Sequence, residues 1–154
     1  MNEKREVYAY HEAGHAVVAM NLGYKCHRVW IAPEHARGSA CCEDPRKTTR
    51  GTAQERYEHF LTIEIAAEIA QRKACPGSAP LNDEDAKKVI EAIIAHTDKR
   101  ETDDVLRERQ GISLMARAHV EEAWSKIQLL AQNLIKDGEV VFRPPSVAPA
   151  AKLD

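Results

Sequence analysis

Aromatic side chains are scarce in this chain, at 5 % of its residues, while Ala, Ile, Leu and Val are plentiful. The core is therefore expected to be aliphatic helix packing. Long apolar runs are missing too. No polar-free stretch exceeds Ala16 to Met20, far short of the roughly 20 residues of a membrane span. The opening Met1-Asn2-Glu3-Lys4-Arg5-Glu6 lacks the apolar core of a secretory signal. The four cysteines, Cys26, Cys41, Cys42 and Cys75, show no C-x-x-C spacing, and the neighbours Cys41 and Cys42 fit no common bridge or zinc knuckle. They read as reduced thiols of a cytoplasmic protein. Nor is there an excess of positive charge: 22 basic residues face 24 acidic ones, for a net charge of −2. Nucleic acid is thereby excluded as the main partner, because binding it takes a concentrated basic face.

What is present fits one domain. A chain of 154 residues buries roughly two thirds of its unfolded surface on folding and needs no disulfide to do so. Residues 1–140 are expected to form that domain and 141–154 a Pro/Ala-rich tail. Helical periodicity covers about residues 2 to 22, 52 to 73 and 112 to 136. A further helix is expected to begin at Asn82, with acidic residues in its first turn. The charge-dense segment 98 to 110 reads as helical and interrupted at Gly111. Residues 27–32 and 39–42 read as a small hairpin or short edge strands. The expected fold class is α+β, mainly α-helical.

The chemistry lies in His11-Glu12-Ala13-Gly14-His15. Two His four positions apart share one helix face, so both imidazoles can reach one ion. Glu12, one step round, stands beside that ion, where a carboxylate can take a proton from the attacking water and return it to a leaving amine. This is the H-E-x-x-H pattern of zinc peptidases. Gly14 inside the helix costs about 1 kcal/mol relative to Ala, which makes sense where another element packs closely beneath the site.

Zinc held by two His needs a third protein ligand. The metzincin continuation fails, since Val18 and Asn21 stand where Gly and His are required. Glu34, Glu64, Glu68, Asp83, Asp85, His27, His35, His59 and His96 remain as candidates. Glu64 and Glu68 fall in the apolar sector of the 52–73 helix, where an unpaired carboxylate is expensive. Asp83 opens the next helix. Glu84 and Asp85 read as a solvated acidic first turn. Periodicity leaves Asp83, Glu68 and Glu64 as near equals.

The stretch Tyr10 to Ala19 resembles the zinc motif of the FtsH family of membrane-anchored AAA+ metalloproteases, including residues that flank the bare motif. Arg28 to Pro33 and Gly38-Ser39-Ala40 resemble the strands that follow it there, and Ile65-Ala66-Ala67-Glu68 resembles the family's Ala-Ala-Glu helix. Asn82-Asp83 resembles its Asn-Asp pair, and Ala123 to Glu139 is loosely similar to its final helix. The resemblance implies an FtsH-like zinc peptidase domain with Zn2+ on His11, His15 and Asp83, Glu12 as base, and Glu68 as a carboxylate supporting the ligands; Glu64, on the same helix, is expected to share that supporting role. Gly38, Ser39 and Ala40 are then expected to bind substrate by strand addition. The chain departs from the family in having Glu64-Ile65 where the family has Gly-Arg, and Pro76 to Leu81 in place of its small-residue turn.

The expected function is hydrolysis of peptide bonds in flexible or unfolded polypeptide, ATP-independent by itself. Only about ten residues precede the motif, so a stand-alone domain is expected, with no membrane insertion. A separate ATPase or a homo-oligomer are the expected partners beyond substrate. The alternative is a catalytically weak zinc-binding regulatory or scaffold domain.

Overall fold

Small side chains place one helix at the centre of the molecule. The computed structural model describes residues 2–81, 83–98 and 101–142. Helix α1 (Asn2–Asn21) carries Ala9, Ala13, Ala16 and Ala19, all fully buried. It packs against the second and last helices and against two strands. Helix α2 (Ala53–Ala74) approaches most closely. A Cβ added at Gly14 would lie 2.8 Å from the Ala70 Cβ and 3.0 Å from the Ala66 carbonyl oxygen. The contact is therefore nearly backbone on backbone, as the glycine inside the motif led us to expect.

Helix α2 starts at Thr52, whose hydroxyl accepts from the Glu55 N–H at 3.1 Å; Thr and Glu three apart are the usual cap pair. Helices α3 (Asp83–Thr97) and α4 (Thr102–Glu122) cover the far side of α2. Together they enclose a second apolar cluster that includes Phe60, Leu61, Val89, Ile93 and Ile112. Helix α5 (Trp124–Asp137) lies on α1. Its end is set by Gly138 at φ +80°, a left-handed conformation suited to glycine, whose N–H bonds the Leu134 carbonyl at 2.8 Å.

The β element is a three-stranded antiparallel sheet in the order β2-β1-β3, from β1 (Cys26–Ala32), β2 (Arg37–Cys42) and β3 (Glu139–Val141). Val29 and Ile31 of β1 face the core. Strand β2 is an edge strand, and Gly38, Ser39 and Ala40 pair with Ile31, Trp30 and Val29. The architecture is thus α+β and mainly helical, with no helix among the described residues long and apolar enough to cross a membrane.

The structure corrects several sequence expectations. Cys26 and Cys42 are not free thiols but form a disulfide, because the antiparallel register sets them opposite each other. Cys41 and Cys75 remain free. Helix α4 runs through Gly111, which has open space around it and so costs only its intrinsic propensity. The break falls at Ala123, where the backbone turns (φ −96°, ψ 9°) so that α4 stays on α2 while α5 reaches α1. Met115, whose helical spacing alone predicts a place on the buried stripe with Ala116 and Val120, is exposed. Val141 belongs to β3, so the sheet runs one residue into the segment expected as tail. Residues 143–154 of that tail and Asn82, the expected cap of α3, lie outside the described residues.

Gly14→Val should destabilise the protein by about 1–3 kcal/mol in chemical denaturation, since the added methyls meet α2 backbone. Gly111→Ala should instead be neutral or stabilising by up to about 1 kcal/mol. Equal effects of the two would contradict the close helix contact.

Candidate metal centre

The α1–α2 contact brings the α1 imidazoles against polar groups of α2. His11 Nδ1 donates to Gln71 Oε1 at 3.0 Å. The Gln71 amide nitrogen in turn donates to Ser78 Oγ (2.9 Å) and the Ala79 carbonyl (2.8 Å). Those bonds fix Oε1 as the acceptor, so His11 carries its proton on Nδ1. His15 Nδ1 donates to the Ile63 carbonyl at 3.0 Å, which sets the same tautomer. Both Nε2 atoms therefore present lone pairs to the cleft.

A single carboxylate oxygen meets both of them. Asp85 Oδ2, from the first turn of α3, lies 3.0 Å from His11 Nε2 and 3.2 Å from His15 Nε2. Three lone pairs converging at these distances require something positive between them, either a proton or a metal ion. Without metal the proton serves. Burial alone would lower the His15 pKa, but the hydrogen bond to Asp85 and the Glu64 and Glu12 carboxylates push it up to about 10. Burial opposes ionisation of Asp85, yet its hydrogen bonds with His11 and His15 hold it far below the usual carboxylate range.

Two further carboxyls flank this centre. Glu12 is buried, and its Oε2 has no hydrogen-bond partner. Its Oε1 is 3.9 Å from His11 Nε2, and burial raises its pKa. Glu64 Oε2 is likewise buried and unpartnered, and burial raises the Glu64 pKa as well. Among the described residues, the groups able to hold an ion are His11 with Glu12 and His15, and His15 with Glu64 and Asp85. A donor set of two imidazoles and a carboxylate, with orphaned carboxylate oxygens beside it, suits a divalent transition metal such as zinc.

The centre opens into a cleft of about 310 Å³ whose lining includes Glu12, His15, Glu64 and Asp85 together with Gly38, Ser39 and Ala40. A Cβ at Gly38 would lie 3.2 Å from Glu12 Cγ, so β2 runs directly past the glutamate.

The structure thus brings together His11, Glu12, His15, Glu64 and the Gly38–Ala40 strand. Asp85, read from sequence as part of a solvated acidic turn, is the carboxylate on the imidazoles. The side chain of Asp83 lies outside the described residues. Glu68 borders a recess beside His11 and Asp85, but its carboxylate pairs with Arg72 at 2.7 Å. Of the remaining candidates, His59 bonds Tyr24 and His96 bonds Gln54, while Glu34 and His35 sit on the turn Pro33–His35. Gln71 escaped sequence reading because an amide carries no acid–base chemistry. Its signal was spacing: it lies seven residues after Glu64, on the same helix face. No protein-family model matches the chain, and no curated protein matches it.

The metal-free protein should lose stability as pH rises. The raised His15 pKa contributes stability that is complete below its ordinary value of 6.5 and is lost toward about 10. The raised Glu12 and Glu64 values act in the same direction from the ordinary carboxylate range upward. After chelator treatment, Tm is expected to be lower at pH 9 than at pH 6.5, and His15→Gln should shrink that drop. A Tm that rises over this interval would contradict the arrangement.

Proposed function

We propose that this chain is a zinc-dependent peptidase of FtsH-like kind, acting on flexible or unfolded polypeptide. The observation that carries the reading is the convergence of His11 Nε2, His15 Nε2 and Asp85 Oδ2 beside the buried, unpartnered Glu12 carboxylate. In this proposal His11, His15 and Asp85 hold the ion. Asp85 takes the place that the Asn-Asp resemblance gave to Asp83. When bound, zinc supplies Lewis acidity, polarising the scissile carbonyl and making water a better nucleophile.

The chain's own groups do the rest. Gln71 and the Ile63 carbonyl lock the imidazoles by their Nδ1 protons, which keeps both Nε2 atoms in their ligating form. Glu12 removes a proton from the attacking water and hands it to the leaving amine. Its buried Oε2 has no hydrogen-bond partner, which leaves the carboxylate uncommitted for that double duty. A substrate segment in extended form can pair with the free edge of β2, which would hold its backbone across the cleft from Glu12. Only an unfolded or flexible segment offers such a strand, and this supports the substrate class.

These residues account for hydrolysis alone. Delivery of a folded substrate would fall to a separate ATPase or to a ring of copies of this chain. With Cys26 and Cys42 bridged, the cysteines give no support to a cytoplasmic location.

Glu12→Gln should retain zinc at the wild-type level while casein cleavage falls by at least about a hundredfold. Asp85→Ala should lose both zinc and cleavage, whereas Asp83→Ala should keep both. Casein cleavage by the Glu12 variant at the wild-type rate would refute the mechanism, and zinc loss confined to the Asp83 variant would refute the ligand set.

A further inference from the structure

The mechanism leaves Glu64 unused, although its carboxyl, like that of Glu12, lies beside the centre with an unpartnered oxygen. The Ile63 carbonyl is fixed to His15 Nδ1, so the next residue along α2 is held against the same imidazole. Glu64 also lies close to Asp85. Ligand atoms of Glu64, Asp85 and His15 all fall within 4.8 Å of one another. Glu64 Oε2 is shielded from solvent and bonded to nothing. The Arg46 guanidinium that lines the same cleft is taken by Asp44 at 2.8 Å.

Two carboxylates this close, in a partly shielded site, repel unless a proton or a cation lies between them. The pair already faces an imidazole nitrogen whose lone pair points the same way, so a cation answers all three groups at once. Charge balance supports the same conclusion. A divalent ion held by two neutral imidazoles and one carboxylate keeps a net charge of +1 in a poorly solvated place; a second carboxylate cancels it. Glu12 lies beside Gly38 of β2 and groups with His11 and His15, while Glu64 groups with His15 and Asp85.

We infer that Glu64 is a fourth protein ligand of the metal, joining His11, His15 and Asp85. This rests on the reading that those three residues hold a divalent ion. One consequence concerns the division of labour: Glu64 neutralises and tightens the site, leaving Glu12 alone to move protons.

The test loads the chelator-stripped full chain with one equivalent of Co2+ and compares visible absorption for the wild type, Glu64→Gln, Glu64→Ala and Glu12→Gln. Cobalt with four ligands absorbs more strongly than cobalt with five. Both Glu64 variants should therefore show shifted, stronger bands, and their Zn2+ affinity, read by competition with a chromophoric chelator, should fall by roughly tenfold or more. Glu12→Gln should match the wild type in both readouts. Far-UV circular dichroism identifies any variant that fails to fold, and the isosteric Gln change then decides. Bands unchanged in Glu64→Gln would overturn the inference whether or not affinity falls, since weaker binding without a spectral change marks a group acting only through Asp85. A wild type that takes up no Co2+ would instead overturn the underlying metal-site reading and the inference with it.

Discussion

The approach of α1 to α2 at Gly14 is the constraint on which the rest of the molecule depends. With no side chain there, the helices meet through Ala66, Ala67 and Ala70. At that separation a medium-length side chain on α2, Gln71, reaches His11, and even a backbone carbonyl, that of Ile63, reaches His15. A wider gap would leave both imidazoles free to rotate and to exchange tautomers. Packing and chemistry are therefore one problem in this region: the buried alanines that make α1 a good core helix also bring its polar residues within reach of α2.

The polar groups so assembled are individually costly. A buried carboxylate without a hydrogen-bond partner is expensive, and this site holds such an oxygen on Glu12 and another on Glu64. Asp85 is stable as an anion only because two imidazoles face it. A purely structural core has little reason to concentrate this much unsatisfied charge. The cost is understandable if a cation completes the site and if Glu12 must stay uncommitted in order to accept and release a proton. The open edge of β2 beside Glu12 extends the same logic to substrate, because it offers unpaired backbone groups at the point where a scissile bond would have to lie.

Much of this was legible in the sequence, and the parts that were not have physical reasons. His11, Glu12 and His15 follow from helical spacing alone, and Gly14 announced close packing. The choice between Asp83 and Asp85 was harder because both open the same helix. The clue to Asp85 is the buried stripe of that helix. Val89 and Ile93, four and eight residues after Asp85, are both in the core, so that stripe faces inward, while Lys87 is exposed. The Cys26–Cys42 bridge depends on strand register, which short strands with few alternating residues specify weakly. The turn at Ala123 has no glycine or proline to mark it and arises only because α4 and α5 pack on different partners. The Ile63 carbonyl could not be read at all, since a backbone acceptor leaves no trace in residue type.

The central claim is that His11, His15 and Asp85 converge on one metal ion. Anomalous diffraction at the zinc absorption edge, from crystals of the zinc-loaded protein, tests it most directly. A single strong peak is expected within bonding distance of both Nε2 atoms and an Asp85 carboxylate oxygen, with Glu12 close by but not bonded to it. A peak bonded to Asp83 or Glu68 in place of Asp85, or no peak between the two imidazoles, would contradict the account.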